Sequence, residues 1–203
     1  MAEILRIHPE NPQARLLQKA AEVLKTGGLV IYPSDTVYAI GCDISNQKAM
    51  ARLAAIKGIK PEKAVFSIIC TDLSNLSKYT KNIDSAAFRV LKGHTPGPFT
   101  FILNANRELP SFYKGHKTVG IRVPDHPIPR MLTELLGHPL SSTSIKDEDD
   151  LLEYPTDPDR IAEQYDHLAD LIIDAGPGGN IPSTVVDLTG GAPEIIREGK
   201  GQL

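Results

Sequence analysis

Cysteine is scarce in this chain: 203 residues hold two, Cys42 and Cys70. With no partner spacing and no histidine cluster beside them, they imply neither a disulfide framework nor a zinc site, and they fit a reducing cytoplasm. Long apolar runs are missing as well. No stretch approaches the ~20 residues needed to cross a bilayer, and the opening Met1-Ala2-Glu3-Ile4-Leu5 lacks the charged and apolar regions of a signal peptide. A cytosolic protein with no membrane partner is expected. Nor is there an excess of positive charge, since 22 Lys and Arg stand against 25 Asp and Glu for a net charge of −3. That balance argues against nucleic-acid binding by the whole surface, although a local basic groove remains compatible with it. Finally, the chain has no Gly-x-Ser-x-Gly elbow, no cysteine set up as a nucleophile, no clear acid/base pair, no internal repeat and no low-complexity tract. Covalent catalysis through a side chain therefore has no candidate.

What is present is 41% apolar residues, enough for one domain to bury an ordinary core without metal or disulfide help. Leu16, Leu17, Ala20, Val23 and Leu24 recur at helical spacing between Pro12 and Thr26, and the pattern stops at Gly27-Gly28. Helices are also expected over 47–56, 72–79, 85–91 and 127–136, and from Asp157-Pro158 to 167, where proline occupies the first turn. Strands are expected at 29–32, 64–69, 99–103, 118–123, 139–143, 171–174, 184–188 and 194–197. This irregular alternation, with late strands close enough to pair antiparallel, predicts an α/β fold. A single domain over 1–203, with its core over 10–200, would carry a twisted mixed sheet, parallel and antiparallel, flanked by helices. Residues 146–159, acidic and holding Pro155 and Pro158, read as a solvated loop, with a flap over a site as the alternative.

The most informative segment is Ile31-Tyr32-Pro33-Ser34-Asp35-Thr36-Val37-Tyr38. An apolar strand runs into Pro33, which ends its ladder of hydrogen bonds. Three small polar side chains follow at the carboxyl end, where open α/β sheets bind ligands. Five further segments also gather hydroxyls or cations at strand ends and loops. Lys57, Lys60 and Lys63 crowd one loop; Thr118, Gly120 and Arg122 alternate, so that Thr118 and Arg122 share a strand face. Ser141-Ser142-Thr143-Ser144 is a run of hydroxyls ahead of Lys146, and Pro182-Ser183-Thr184 and Ile196-Arg197-Glu198-Gly199 add a Ser-Thr pair and another arginine. Hydroxyls and cations at several strand ends suit an anionic ligand with many acceptor oxygens, such as a nucleotide. Each feature also has an ordinary alternative. A strand arginine often only pairs with a carboxylate, Lys60 and Lys63 read as solvated, and Thr143 and Ser144 can satisfy loop backbone. His126 suits a helix start and Tyr38 suits packing. Gly176-Pro177-Gly178-Gly179 precedes no helix, so it only superficially resembles a phosphate cradle.

Five ordered blocks carry a resemblance: Tyr32-Pro33-Ser34-Asp35-Thr36-Val37-Tyr38, Pro96-Gly97-Pro98-Phe99-Thr100, Val119-Gly120-Ile121-Arg122-Val123-Pro124, Pro182-Ser183-Thr184-Val185-Val186-Asp187 and Arg197-Glu198-Gly199. In this order they resemble the YrdC-like family, which includes the threonylcarbamoyl-AMP synthases of tRNA modification. Lys57-Gly58-Ile59 and Ser144-Ile145-Lys146 stand where family synthases show Lys-x-Arg and Ser-x-Asn. With the opening Ile7-His8-Pro9-Glu10-Asn11-Pro12, they make the chain look like the YciO-type branch. The additional C-terminal domain of another branch has no counterpart.

The resemblance implies a concave basic groove on one side of the sheet. It also implies condensation of L-threonine, bicarbonate and ATP into threonylcarbamoyl-AMP and pyrophosphate, in weak or altered form, by positioning and cations. Carried over residue by residue, it puts Thr36, Arg122, Ser144 and Ser183 around the amino acid, with Arg122 on its carboxylate. Lys57, Thr118 and Arg197 would serve the nucleotide, with Lys63 and Lys146 replacing part of the charge lost at Ile59. Lys57 and Arg122 are the candidate catalytic residues. ATP would arrive as a substrate with Mg2+; neither a metal cage nor a tightly bound cofactor is expected. The reading from a different class is a non-catalytic module that binds tRNA or double-stranded RNA in the same groove.

Overall fold

The apolar runs of this sequence converge on one ten-stranded sheet. The computed structural model describes residues 1–146 and 154–203. In chain order its elements are β1 (Glu3–Arg6), α1 (Ala14–Lys25), β2 (Val30–Tyr32), β3 (Ala39–Asp43), α2 (Gln47–Ile56), β4 (Ser67–Ile69), α3 (Ser85–Gly93), β5 (Phe99–Asn104), β6 (Thr118–Arg122), α4 (Pro127–Leu136), β7 (Leu140–Ser144), α5 (Pro158–Tyr165), β8 (Leu171–Asp174), β9 (Thr184–Asp187) and β10 (Glu194–Arg197). The strand order is β1-β8-β2-β3-β7-β4-β6-β5-β9-β10. The pairs β1/β8, β2/β8, β4/β6 and β5/β9 are parallel. The remaining five neighbours are antiparallel, including the closing pair β9/β10. The fold is therefore α/β with a mixed sheet, as the sequence pattern implies.

Helix faces set the layers. Leu17, Ala20, Ala21 and Leu24 form the buried stripe of α1, which packs with Ile128 and Leu132 of α4 against Leu5, Val30, Leu171 and Ile173 of the sheet. On the opposite face, Met50 and Leu53 of α2, Leu91 of α3 and Ile161 of α5 cover Ile31, Ile40, Phe101 and Ile121. Helix ends follow ordinary capping chemistry. His126 Nδ1 accepts from the Ile128 N–H at 3.2 Å, Pro127 opens α4, and Gly137 closes it at φ 77, a left-handed conformation that glycine adopts without a Cβ clash. Among the described residues no helix is long and apolar enough to cross a membrane.

Three differences from the sequence pattern have local causes. The helical spacing over 72–79 yields only a 3-10 turn, Leu76–Lys78. The Asp72 carboxylate accepts from both the N–H and the hydroxyl of Ser74, an Asx turn that competes with the helix. The apolar run at 64–69 enters the sheet only at Ser67. Two strands, β1 and β3, lie in stretches with no evident strand signal. In β1 only Leu5 is buried, and in β3 Ile40 is the one large side chain among Ala39, Gly41, Cys42 and Asp43. Of the loop foreseen over 146–159, residues 147–153 lie outside the described residues.

The site follows from where the helices stop. Beyond α1 and α4, the same sheet face is built from small side chains: Ala39 on β3, Ser67 on β4, Thr100 on β5, Gly120 on β6, and Ser142 and Ser144 on β7. They leave a depression at the centre of the sheet. A Cβ on Gly120 would sit 3.2 Å from both Ser67 Oγ and Thr100 Cγ2, so any larger residue there would crowd its floor.

Candidate functional site

At the centre of this depression is a buried guanidinium. Arg122 ends β6 with its side chain 10% exposed and lines a cavity of about 280 Å³. Its Nη2 donates to Asp35 Oδ1 at 2.8 Å and to Thr36 Oγ1 at 3.1 Å. Asp35 Oδ2 in turn accepts the Asp125 N–H at 3.0 Å, so one carboxylate ties the loop after β2 to the loop after β6. Ser34 is occupied internally, bonded to Thr36 Oγ1 and the Val37 carbonyl. Burial pulls the Arg122 pKa below its ordinary value, and the Asp35 charge opposes that shift. Among the described residues nothing accepts from its Nε, although that atom is buried. A buried cation at the wall of a polar cavity has the chemistry to pair with an anionic group.

Hydroxyls and further cations surround it. Thr100 Oγ1 on β5 and Ser183 Oγ, in the residue just before β9, lie 2.8 Å apart. Arg197 Nη2 donates to the Ser183 carbonyl at 2.7 Å, which holds a second guanidinium at that end. At the opposite end, Lys57 Nζ donates to the Ser144 carbonyl at 3.2 Å. Burial lowers the Lys57 pKa, and the nearby Lys146 charge lowers it further. Lys200 reaches from the C-terminal segment to donate to the Asp35 carbonyl.

The structure brings Thr36, Thr118, Arg122, Ser144, Ser183 and Arg197 into the lining of one cavity. Lys57 reaches its edge through Ser144. Lys146 is exposed, with its ammonium over the Tyr154 ring at 5.8 Å from the centroid. Lys63 and Ile59 are exposed and line no part of the cavity. The hydroxyl run on β7 divides. Ser142 Oγ accepts from Tyr32 at 2.6 Å and Ser141 pairs with Tyr113 at 2.8 Å. Thr143 and Ser144 remain at the cavity wall. Burial pushes the phenols of Tyr32 and Tyr38 up to about 12. Roles for Asp35, Thr100 and Lys200 are not apparent from sequence. For Thr100 the signal was its alternation with Phe99 and Phe101, which puts it on the face opposite the aromatics.

Both cysteines are buried, which raises their thiols to about 12 and leaves them poor nucleophiles. Among the described residues no group of three or more His, Cys, Asp or Glu side chains could hold a metal ion.

Comparison with known proteins places these features in context. A family model described as Sua5_yciO_yrdC, telomere recombination, matches residues 22–199. The chain is 41% identical over 206 residues to the uncharacterized protein YciO of Escherichia coli strain K12, covering 100% of this chain and 98% of that protein. The crystal structure of E. coli YciO superposes with a TM-score of 0.91, covering 100% of this chain and 98% of that one. A threonylcarbamoyl-AMP synthase of Coxiella burnetii is 35% identical over 133 residues, 65% of this chain and 71% of that protein. P. abyssi Sua5 complexed with L-threonine superposes with a TM-score of 0.86 at 29% identity, covering 97% of this chain and 57% of that one.

Proposed function

Because the chain belongs to the Sua5/YciO/YrdC family, with a role in tRNA modification at the level of that family, we propose that it condenses L-threonine, bicarbonate and ATP into threonylcarbamoyl-AMP. The threonine amine and bicarbonate give a carbamate and water. A carbamate oxygen then attacks the α-phosphorus of ATP, and pyrophosphate leaves with the electron pair of the broken P–O bond. The observation that carries this reading is Arg122, a buried cation lining a cavity walled by hydroxyls. A relative of the same fold is a complex with L-threonine.

The amino-acid carboxylate takes Arg122, with Thr36, Ser144 and Ser183 around the amino acid. At about 280 Å³ the cavity is at the small end of ligand pockets, which run from ~300 to ~1,000 Å³. It suits the amino acid and part of the nucleotide. The triphosphate extends over the edge, where Lys57 and Arg197 neutralise phosphate oxygens, Thr118 contacts the nucleotide, and Lys63 and Lys146 add charge. Mg2+ would accompany the triphosphate and shield it; the residues of this chain position and neutralise without a covalent intermediate. Exposed Ile59 supplies no charge, so turnover is expected to be slow. The buried thiols suit a reducing cytoplasm.

The test is pyrophosphate release at high protein concentration, omitting each substrate in turn. Release should require all three, and Lys57→Ala should lower it by about 100-fold or more, as expected for the loss of a preorganised cation on a reacting phosphoryl group. Release that ignores threonine or survives Lys57→Ala would reject the assignment. A second expectation concerns pH. If protonated Lys57 is required, kcat/KM for ATP falls on the alkaline side below the ordinary lysine value of 10.5, because burial and Lys146 both lower the Lys57 pKa. Lys146→Ala removes one of those two causes, so the alkaline limb should move to higher pH; an unmoved limb would assign it to another group.

A further inference from the structure

Away from the groove, the charge of this acidic chain is strongly segregated. Residues 76–118 contain seven Lys and Arg against only Asp84 and Glu108, a net of +5 in a chain of −3, leaving −8 for the rest. Four of these cations, Lys81, Arg107, Lys114 and Lys117, converge with His116 on a cleft of about 610 Å³ at the far end of the β5–β6 hairpin. All four are exposed, and no ion pair among the described residues engages any of them.

The segments bearing them are fixed to one another. Thr80 and Ala105 form an antiparallel bridge, Lys81 N–H donates to the Asn104 carbonyl at 2.8 Å, and Ala105 N–H donates to the Lys117 carbonyl at 2.9 Å. Lys81, Asn104 and Asn106 also line an adjoining depression of about 1000 Å³. Its wall includes Asn82 and Phe88, an aromatic side chain 43% exposed on α3. Asn106 donates its amide to the Ser77 carbonyl at 3.0 Å, which leaves its own side-chain carbonyl to accept.

We infer that this double cleft is a docking surface for single-stranded or looped RNA, separate from the groove. Exposed, unpaired lysines and arginine around an open cleft suit a phosphate backbone that exchanges its counterions for them. A small anion would be held by buried, convergent donors, and none of the four cations is buried. Phe88 offers a stacking platform for a base, and the carboxamides match the donor and acceptor of a ribose 2′-OH. This assignment does not depend on the reaction assigned to the groove, since binding and pyrophosphate release are measured separately.

The probe is a fluorescein-labelled 15-nucleotide single-stranded RNA, titrated by anisotropy at 50 and 200 mM salt. With about 0.7 counterions released per contact and four contacts, affinity should fall about 50-fold between these salts. The fourfold variant Lys81→Glu/Arg107→Glu/Lys114→Glu/Lys117→Glu should lose most of the affinity and the salt dependence, with pyrophosphate release unchanged. Phe88→Ala should weaken binding about fivefold or more. A fourfold variant that keeps a native circular dichroism spectrum and wild-type affinity would overturn the inference. So would equal binding of DNA of the same sequence, competition by micromolar tripolyphosphate, or no wild-type binding at 50 mM salt.

Discussion

Arg122→Met is expected to eliminate threonine-dependent pyrophosphate release and to lower the unfolding free energy by about 3–5 kcal/mol. The two effects have different origins. The guanidinium and the Asp35 carboxylate form a buried pair, with side chains 10% and 7% exposed and 2.8 Å between Nη2 and Oδ1. Removing the cation strands a desolvated carboxylate, and that is the stability term. Removing the guanidinium from the cavity wall also takes away the seat for the amino-acid carboxylate, and that is the activity term. Asp35→Asn in the Arg122→Met background neutralises the stranded charge. Urea unfolding of the double variant should recover most of the lost stability, while pyrophosphate release stays absent. Arg122→Lys keeps a charge that can pair with Asp35 and Thr36, the two acceptors shared by Nη2, but loses the other guanidinium donors, so it should bind threonine poorly despite near-native stability. Recovery of activity along with stability in the double variant would mean that Arg122 serves the fold alone.

The strand ends of this site were legible in the sequence because each is a local pattern. A polar cluster after a proline-terminated strand, or Thr118 and Arg122 two residues apart on either side of Gly120, announces a face and an end without knowledge of the fold. Partnership across the sheet was not legible. Four consecutive hydroxyls on β7 look equivalent in sequence, yet Ser141 and Ser142 are taken by Tyr113 and Tyr32, residues 28 and 110 positions away. Strand β3 was hidden for a related reason. It is buried on both faces, but a bulky residue at Gly41 would put its Cβ 2.9 Å from the Ser141 carbonyl and 3.0 Å from the Tyr32 ring. The close approach that makes β3 central thus requires glycine at its middle position and leaves Ile40 as its one β-branched residue, too little for a strand to be recognised. Lysines carried the weakest signal. Lys57 is half-buried at the cavity edge and Lys63 is exposed, and in their shared loop only the resemblance singles out Lys57 while Lys63 reads as solvated.

The glycine-rich loop at 176–179, only superficially a phosphate cradle in sequence, acquires a structural role through its contacts and yields the other large expected effect. Gly179 packs against the loop that carries Thr36: a Cβ there would lie 2.1 Å from the Thr36 carbonyl oxygen. A Cβ on Gly178 would lie 2.5 Å from the Tyr38 ring, which cannot swing away freely. Its hydroxyl donates to the Gly176 carbonyl at 2.8 Å and accepts from the Ala175 N–H at 3.2 Å. The glycines therefore allow two backbones to meet, and the contact position sets where Thr36 stands relative to Arg122. Gly179→Ala must push the Thr36 backbone outward, because the clash is with main chain rather than with the end of a flexible side chain. A displacement near 1 Å of a substrate-positioning group lowers rates by about 100-fold, so kcat/KM for threonine should fall by that order. Overpacking should also reduce the unfolding free energy by about 1–3 kcal/mol. Gly190→Ala is the control, since a Cβ there meets nothing within 4 Å, and both parameters should stay at wild-type values. A Gly179→Ala protein with reduced stability but unchanged threonine dependence would show that Thr36 is held from the β6 side alone. In that case the pairing of Asp35 with Arg122 and the Asp125 N–H, not the glycine contact, determines the geometry of the loop.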